Sequence, residues 1–236
     1  MKFAVFSDVH SNIEALDAVL NCISEEKADE CIFCGDIVGY GPNPNECVQA
    51  IKKLKNLKIV AGNHDKAAVG LIDTTWFNPH ARSTMSWTKS VLTDESRDFL
   101  KSLPDKIVED KFTIVHGSPR DPINEYLTEL KDIIQNMDLF KTQICFVGHS
   151  HRPFIYDALS GINQLPKEIK RLSSKTLVNI GSVGQPRDGN TGACYIILEE
   201  GNIRFCRVNY DIKKVQDKMI KNLFPKQLIT RLAEGR

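Results

Sequence analysis

Apolar positions along this chain fall into two periods that take turns. The run KFAVFS, residues 2 to 7, is short and continuous, which predicts a buried strand. From Ile13 the spacing changes: Leu16, Val19, Leu20 and Ile23 recur every three or four positions, so a helix runs to about Lys27, capped by Ser11 or Asn12. CIFC gives a second strand. The Pro- and Gly-rich turn GYGPNP leads to a helix over about 45–55, and LKIVA (57–61) gives a third strand. This rhythm predicts an α/β protein with a parallel sheet and right-handed crossovers. Two helices follow between Pro79 and Leu103, the second capped by Thr93. Strands resume at KFTIVH (111–116) and ICFVG (144–148), with a helix near Leu130 to Met137 between them.

The texture changes after His151. FIYDAL, KTLVNI, ACYIILEE and NIRFCRVNY are short runs separated by turn residues such as Glu200-Gly201-Asn202, and they predict antiparallel strands of a second sheet. Residues 160 to 175 read as a long hairpin arm. Ile212 to Leu223 reads as a helix and about 224–236 as a loose polar tail. No repeat, low-complexity stretch or linker divides the chain, so one domain over 1–236 is expected.

Composition narrows the classes. Lys plus Arg number 31 against 30 for Asp plus Glu, so no basic face points to nucleic acid or to a membrane surface. Nothing in the sequence indicates a homo-oligomer. The apolar start is broken at once by Asp8 and His10, which a signal peptide would not tolerate, and no run approaches the roughly 18 residues of a spanning helix. Seven scattered cysteines, an odd number, suit a reducing compartment, so a cytoplasmic protein is expected. Cys31 and Cys34 form a CxxC. On a strand, positions three apart face opposite sides, which makes them core residues rather than a redox or zinc pair.

The polar residues at the ends of the apolar runs carry the chemistry. Asp8 and His10 close the first strand, Asp36 the second, and Asn63 and His64 follow the third. His116 ends the fourth, and His149 and His151 follow the fifth. In an open α/β sheet this is the crevice where ligands bind. A lone Asp-x-His is an ordinary surface turn, and Gly-Asn-His-Asp alone would be a tight turn capped by Asp65. Five strands that each end in a ligand-type residue are not explained that way. Asp8 and His10 share parity and can face one ion, while Asp36 can give one oxygen to each of two ions roughly 3.5–4 Å apart. Two divalent ions against two carboxylates leave net positive charge, which suits a phosphate attacked by a metal-bridging hydroxide. A shell of His, Asn and carboxylate suits Mn, Fe, Zn or Co better than Mg or Ca.

SDVH, GDIV, GNHD, VHG and GHSH, in this order over positions 7 to 151, resemble the five motifs of the calcineurin-like metallophosphoesterases. The resemblance implies a four-layer α-β-β-α sandwich of two mixed sheets flanked by helices. It implies one metal held by Asp8, His10, Asp36 and His151, a second held by Asp36, Asn63, His116 and His149, and a leaving-group role for His64. GDIVGYGPNPNECV, WFNPHARSTMSWT, VHGSPRDP and NIGSVGQPRDG are similar to segments of small microbial phosphodiesterases and diadenosine tetraphosphatase-like proteins. His80, in the second of these, reads as a helix-surface residue.

One departure matters. The protein Ser/Thr phosphatase branch has Asp and Arg three and four residues after the bridging Asp, where this chain has Gly39 and Tyr40. That disfavours a phosphoprotein substrate and favours small phosphate compounds, either phosphodiesters or nucleotide anhydrides. Arg120 and Arg187 are the candidate phosphate-gripping residues, since guanidinium binds phosphate bidentately, and Tyr40 is a candidate aromatic face for a base or aryl group. Two alternatives are a Ser/Thr phosphatase and a non-catalytic scaffold on the same fold. Retention of all seven ligand-type residues and His64 counts against the scaffold.

Overall fold

The computed structural model describes residues 1–164, 169–172 and 174–236. The first third alternates strand and helix as its periods require: β1 (Lys2–Phe6), α1 (Ile13–Glu26), β2 (Glu30–Phe33), α2 (Pro44–Lys52) and β3 (Leu57–Ile59). Asn12, not Ser11, caps α1, its side chain accepting from Ala15 N at 3.1 Å. Three helices follow, α3 (Asn63–Ala68), α4 (Pro79–Val91) and α5 (Asp94–Ser102), the last capped by Thr93 as expected. Then come β4 (Lys106–Val108), β5 (Phe112–Val115), α6 (Leu130–Met137), β6 (Ile144–Val147), β7 (Phe154–Asp157), β8 (Gly161–Gln164), β9 (Lys170–Arg171), β10 (Thr176–Asn179), β11 (Ala193–Glu199) and β12 (Asn202–Val208). The helices α7 (Ile212–Lys221) and α8 (Lys226–Leu232) complete the chain.

The strands form two six-stranded mixed sheets, ordered β3-β2-β1-β11-β12-β9 and β4-β5-β6-β10-β7-β8. This is the expected four-layer sandwich, but its strands are shared out differently from the sequence pattern. The late strands do not build a sheet of their own: β11 and β12 extend the first sheet beside β1, while β7 and β10 join β5 and β6 in the second. Residue period reports which face a side chain takes and says nothing about which strand lies alongside.

The faces follow the period closely. Between the sheets pack Val5, Ile32, Ile114, Phe146, Val178 and Ile196. Their neighbours Ala4, Phe6, Cys31 and Phe33 turn to the outer face of the first sheet with Leu16 and Val19 of α1. Cys145, Val147 and Leu177 pack outside the second sheet against Ile133 and Met137 of α6. Cys31 and Cys34 do face opposite sides of the first sheet. All seven cysteines are free, and all but Cys22 are buried.

Two expectations are corrected. The span 160–175 is not a hairpin arm: β8 pairs antiparallel with β7, and β9 pairs with β12 in the other sheet. Residues 165–168 and 173 of that span lie outside the described residues. The C-terminal segment is not a loose tail. Phe224, Leu228 and Leu232 are buried in the same cluster as Val215 and Met219 of α7, and the Phe224 ring meets Trp87 edge-on at 4.8 Å. Three apolar residues among polar ones sufficed to dock this last helix. Among the described residues, no helix is long and apolar enough to cross a membrane.

Candidate metal centre

The parallel strands of both sheets end at one edge of the sandwich, and all seven ligand-type residues meet there. Asp8, His10, Asp36, Asn63, His116, His149 and His151 are all buried. Five of them turn the chain through left-handed backbone, with φ of 54° at Asp8, 48° at His10, 62° at Asp36, 65° at His149 and 59° at His151. Such conformations cost about 1–3 kcal/mol each outside glycine. They persist because neighbouring turns hold one another. Asp8 N donates to Gly35 O at 2.9 Å, and His10 N to Asp36 O at 3.1 Å.

Asp65 is the clamp of this arrangement. Its carboxylate accepts from Gly62 N at 3.0 Å, capping α3, and also from Asp36 N at 2.8 Å, Ile37 N at 2.9 Å and Val38 N at 3.1 Å. Burial, followed by the Asp36 charge, pushes its carboxyl up to about 7, against the pull of these N–H donors. Gly62 is required for the same contact region, since a Cβ there would lie 2.0 Å from Asp36 Oδ1.

Each of the four histidines among these seven spends one ring nitrogen on a backbone carbonyl. His10 Nδ1 faces Val38 O at 3.1 Å, His116 Nδ1 faces Cys34 O at 2.8 Å, His151 Nδ1 faces Gln185 O at 2.6 Å, and His149 Nε2 faces Asn124 O at 3.1 Å. A carbonyl only accepts, so each of these nitrogens carries a proton and the other nitrogen turns inward. The inward nitrogens crowd together: His10 Nε2 lies 2.9 Å from His151 Nε2, and His116 Nε2 lies 3.0 Å from His149 Nδ1.

The carboxylates divide their oxygens in the same way. Asp8 Oδ2 accepts from His149 N at 3.1 Å and Asp36 Oδ1 from His64 N at 2.8 Å. Asp8 Oδ1 is left without a hydrogen-bond partner among the described residues, 3.2 Å from His151 Nε2 and 3.6 Å from His10 Nε2. Asp36 Oδ2 stands between two histidines, 3.3 Å from His116 Nε2 and 3.6 Å from His10 Nε2. Asn63 Oδ1 lies 3.1 Å from His116 Nε2.

These contacts fit a cation-binding site. Donors about 2.1 Å from one ion stand about 3–3.5 Å apart, close to the separations seen here. Facing lone pairs repel unless a positive charge lies between them. Among the described residues, three groups are close enough to hold an ion: Asp8 with His10 and His151, Asp36 with His116 and His149, and His10 with Asp36 and His64. Asp36 belongs to two of these and sits between the first and second.

Charge is tuned accordingly. Burial alone would raise the Asp8 and Asp36 carboxyls, but the surrounding histidines outweigh it and hold both well below the usual carboxylate range. Burial brings His149 and His151 down to about 3, reinforced by His116 for the first and by Arg187 for the second. His116 goes the other way. Burial opposes its charge, yet Asp36 and Asp8 raise it to about 9.

His64 is packed rather than hydrogen-bonded. Its ring lies 4.6 Å from Tyr40, 4.8 Å from Phe77 and 4.9 Å from His10, and its buried Nδ1 has no partner among the described residues. A Cβ on Gly39, which has φ +96°, would lie 2.3 Å from that Nδ1. The absent carboxylate noted in the sequence is therefore matched by an absence of room. Burial, the largest influence, keeps His64 well below the usual imidazole range.

The three candidate substrate contacts are placed differently. Arg187 borders the cluster: its backbone N donates to His151 O at 3.2 Å and its guanidinium lies 5.8 Å from the Tyr40 ring centre. Arg120 is engaged elsewhere, donating through Nε to Glu125 at 2.9 Å and through Nη1 to Gln135 at 3.0 Å. Tyr40 is only 6% exposed, with His10 and His64 against its ring, so it offers no open face. His80 stands half-buried in the first turn of α4, outside the three groups. The open aromatic face belongs to Tyr126, which the sequence did not single out. It stacks on the His149 ring at 3.7 Å and remains 44% exposed.

Fold and cluster define a metal-dependent phosphoesterase architecture. The family model for the calcineurin-like phosphoesterase superfamily domain matches residues 1–202, and the chain belongs to that family. An uncharacterized protein of Methanocaldococcus jannaschii is 45% identical, covering 99% of this chain and 98% of that one. The crystal structure of a metallophosphoesterase from Sphaerobacter thermophilus matches with a TM-score of 0.90 at 40% identity, covering 100% of this chain and 99% of that one. A symmetrical bis(5'-nucleosyl)-tetraphosphatase of Psychromonas ingrahamii is 27% identical, covering 70% of this chain and 63% of that one.

Proposed function

We propose that this chain hydrolyses small phosphate compounds, phosphodiesters or nucleotide anhydrides, using two divalent ions drawn from Mn, Fe, Zn or Co. One ion would be held by Asp8, His10, Asp36 and His151, and the other by Asp36, Asn63, His116 and His149. The observation that carries this reading is Asp36 Oδ2, shared at 3.3 and 3.6 Å between a histidine of each group. When bound, the ions supply an activated water and offset the charge of the phosphoryl oxygens. The chain's own residues do the rest. The carbonyls of Val38, Cys34, Gln185 and Asn124 fix the ligand tautomers, and Asp65 fixes the bridge. His64, held neutral between Tyr40 and Phe77, donates a hydrogen bond to the departing oxygen. Arg187 contacts the phosphate. Arg120 buttresses its own loop.

The packing of Gly39 on His64 argues against the phosphoprotein reading, because the carboxylate that branch uses to orient its histidine would not fit. The tetraphosphatase relative supports including nucleotide anhydrides among the substrates. Free, buried cysteines are compatible with a cytoplasmic location. The test is a screen of metal-reconstituted protein, comparing kcat/KM for a diester, a dinucleoside tetraphosphate and a phosphoserine peptide. Both small compounds should win, and a clear win for the peptide overturns the reading.

A further inference from the structure

A cavity of about 330 Å³ opens beside the metal cluster, and Arg187 is the one lining residue with a hydrolytic role assigned above. One wall belongs to the cluster itself. Ser150, between His149 and His151 in the chain, lines it, and so does Arg187, whose backbone is bonded to His151 O. An apolar wall comes from Leu127 of the loop before α6, Ile133 of α6, Pro153, Phe154 of β7 and Ile162 of β8. Leu127 directly follows Tyr126, the half-exposed ring stacked on His149.

Two cations border this apolar space. Arg187 Nη2 donates to Gln185 Oε1 at 2.9 Å, but its Nε is buried and has no hydrogen-bond partner among the described residues. A buried, unsatisfied guanidinium N–H is costly, and an anionic ligand would satisfy it. Arg152 donates through Nε to Arg187 O at 3.2 Å, which holds the two arginines side by side. Asp188, also on the wall, pairs through Oδ2 with Arg207, while its buried Oδ1 has no hydrogen-bond partner among the described residues.

An apolar wall and two arginines lining the same cavity beside a phosphoryl site suit a ligand that is planar and apolar at one end and anionic at the other. The volume lies at the small end of ligand pockets, about 300–1,000 Å³, which suits one base and not an extended peptide. We propose that this cavity is the subsite for a nucleoside group of the substrate. Its base packs among Leu127, Ile133, Phe154 and Ile162, and its neighbouring phosphate rests on Arg187 and Arg152. The inference rests on the hydrolase reading for its biological sense, but its binding test does not depend on turnover.

The test uses the manganese-loaded full chain. Calorimetry should show adenosine 5'-monophosphate binding at least about tenfold more tightly than methyl phosphate, the difference being the buried nucleoside. Thr128, exposed on the cavity rim, gives a blocking variant. In Thr128→Trp the preference should collapse to within about twofold while methyl phosphate affinity holds. Equal affinities in the unaltered protein, or a full preference kept in Thr128→Trp with an unchanged melting temperature, overturn the proposal. If Thr128→Trp unfolds, Ile162→Glu serves the same purpose. A second arm measures cleavage of thymidine 5'-(p-nitrophenyl phosphate) against methyl p-nitrophenyl phosphate. Both cleaved equally, with no preference in binding, sinks the subsite alone. Neither cleaved, with the binding preference intact, sinks the hydrolase reading and leaves the subsite standing.

Discussion

The two ends of the sandwich present opposite uses of charge. At the end where β1 begins lies the larger cavity, about 510 Å³, lined among others by Phe3, Phe112, Leu198, Lys58 and Glu109. Three of its charges are partly exposed and paired, Lys58 Nζ with Glu109 at 3.1 Å and with Glu30 at 3.7 Å. At the end where β1 stops, carboxylates and imidazoles are buried, held in left-handed turns, and aimed at one another's lone pairs. The lesson is that volume does not mark the functional end. Desolvated donors held in place at a conformational cost do, because a bound cation would offset that cost.

The largest expected effect breaks the shared ligand. Asp36→Asn should lose both ions and lower kcat/KM by on the order of 10³-fold, whereas Asp8→Asn should deplete mainly one ion. Metal content by plasma emission, read beside turnover, checks this. Two ions per chain and normal turnover in Asp36→Asn would remove the shared-bridge assignment.

Next comes the clamp. Asp65 touches no proposed ion, yet it accepts four backbone N–H groups that shape the turn carrying Asp36. Asp65→Ala leaves those donors buried and unpaired, which should cost about 3 kcal/mol or more in urea unfolding. Metal affinity should fall about 10–100-fold, as for other residues that orient ligands. A loss of stability with undiminished affinity would make Asp65 a helix cap and nothing more.

Smaller still is the effect of pH on the same centre. His116 is raised to about 9 by Asp36 and Asp8, so below that pH an entering ion must displace its proton. His149 and His151, near 3, have none to lose at neutral pH. Metal affinity should therefore rise with pH by up to about tenfold per unit, levelling as pH passes about 9. The sign for folding is the reverse. A raised folded-state histidine stabilises the metal-free chain below its unfolded value, and that contribution is lost as pH rises through about 9. Calorimetry in buffers of different ionisation enthalpy should find about one proton released per His116-side ion at pH 7. Zero release would place the proton elsewhere.

What could be read from the sequence, and what could not, divides along a physical line. The clustered residues are legible because ligand-type side chains stand where apolar strands end, so type and position coincide at Asp8, Asp36 and His116. The acceptors that fix the tautomers, the carbonyls of Val38, Cys34, Asn124 and Gln185, are backbone atoms without a residue signature. Asp65 showed its cap to Gly62 but not its reach to residues 36–38, which depends on two turns meeting. Tyr40 stands out in the sequence as a candidate aromatic face because exposure in a loop has no period. Packing buries it and leaves Tyr126 open instead. Arg120 had its partner five residues away in Glu125, a pairing that only the folded loop makes.

The last prediction concerns the end that should not matter. Lys58→Ala removes an ion pair to Glu109 and a longer one to Glu30, in side chains that remain 24–45% exposed. In water such pairs gain little, because solvent screens the charges and both side chains lose rotamer freedom to meet. A double-mutant cycle of Lys58→Ala with Glu109→Ala should give a coupling of about 0.2–1 kcal/mol, shrinking as salt is raised. Turnover and metal content should stay within error of the parent, although Lys58 lines the larger cavity. Lost activity in Lys58→Ala at unchanged stability would mean that the two ends communicate. The contrast between a paired, solvated end and a strained end of clustered ligand-type residues would then be incomplete.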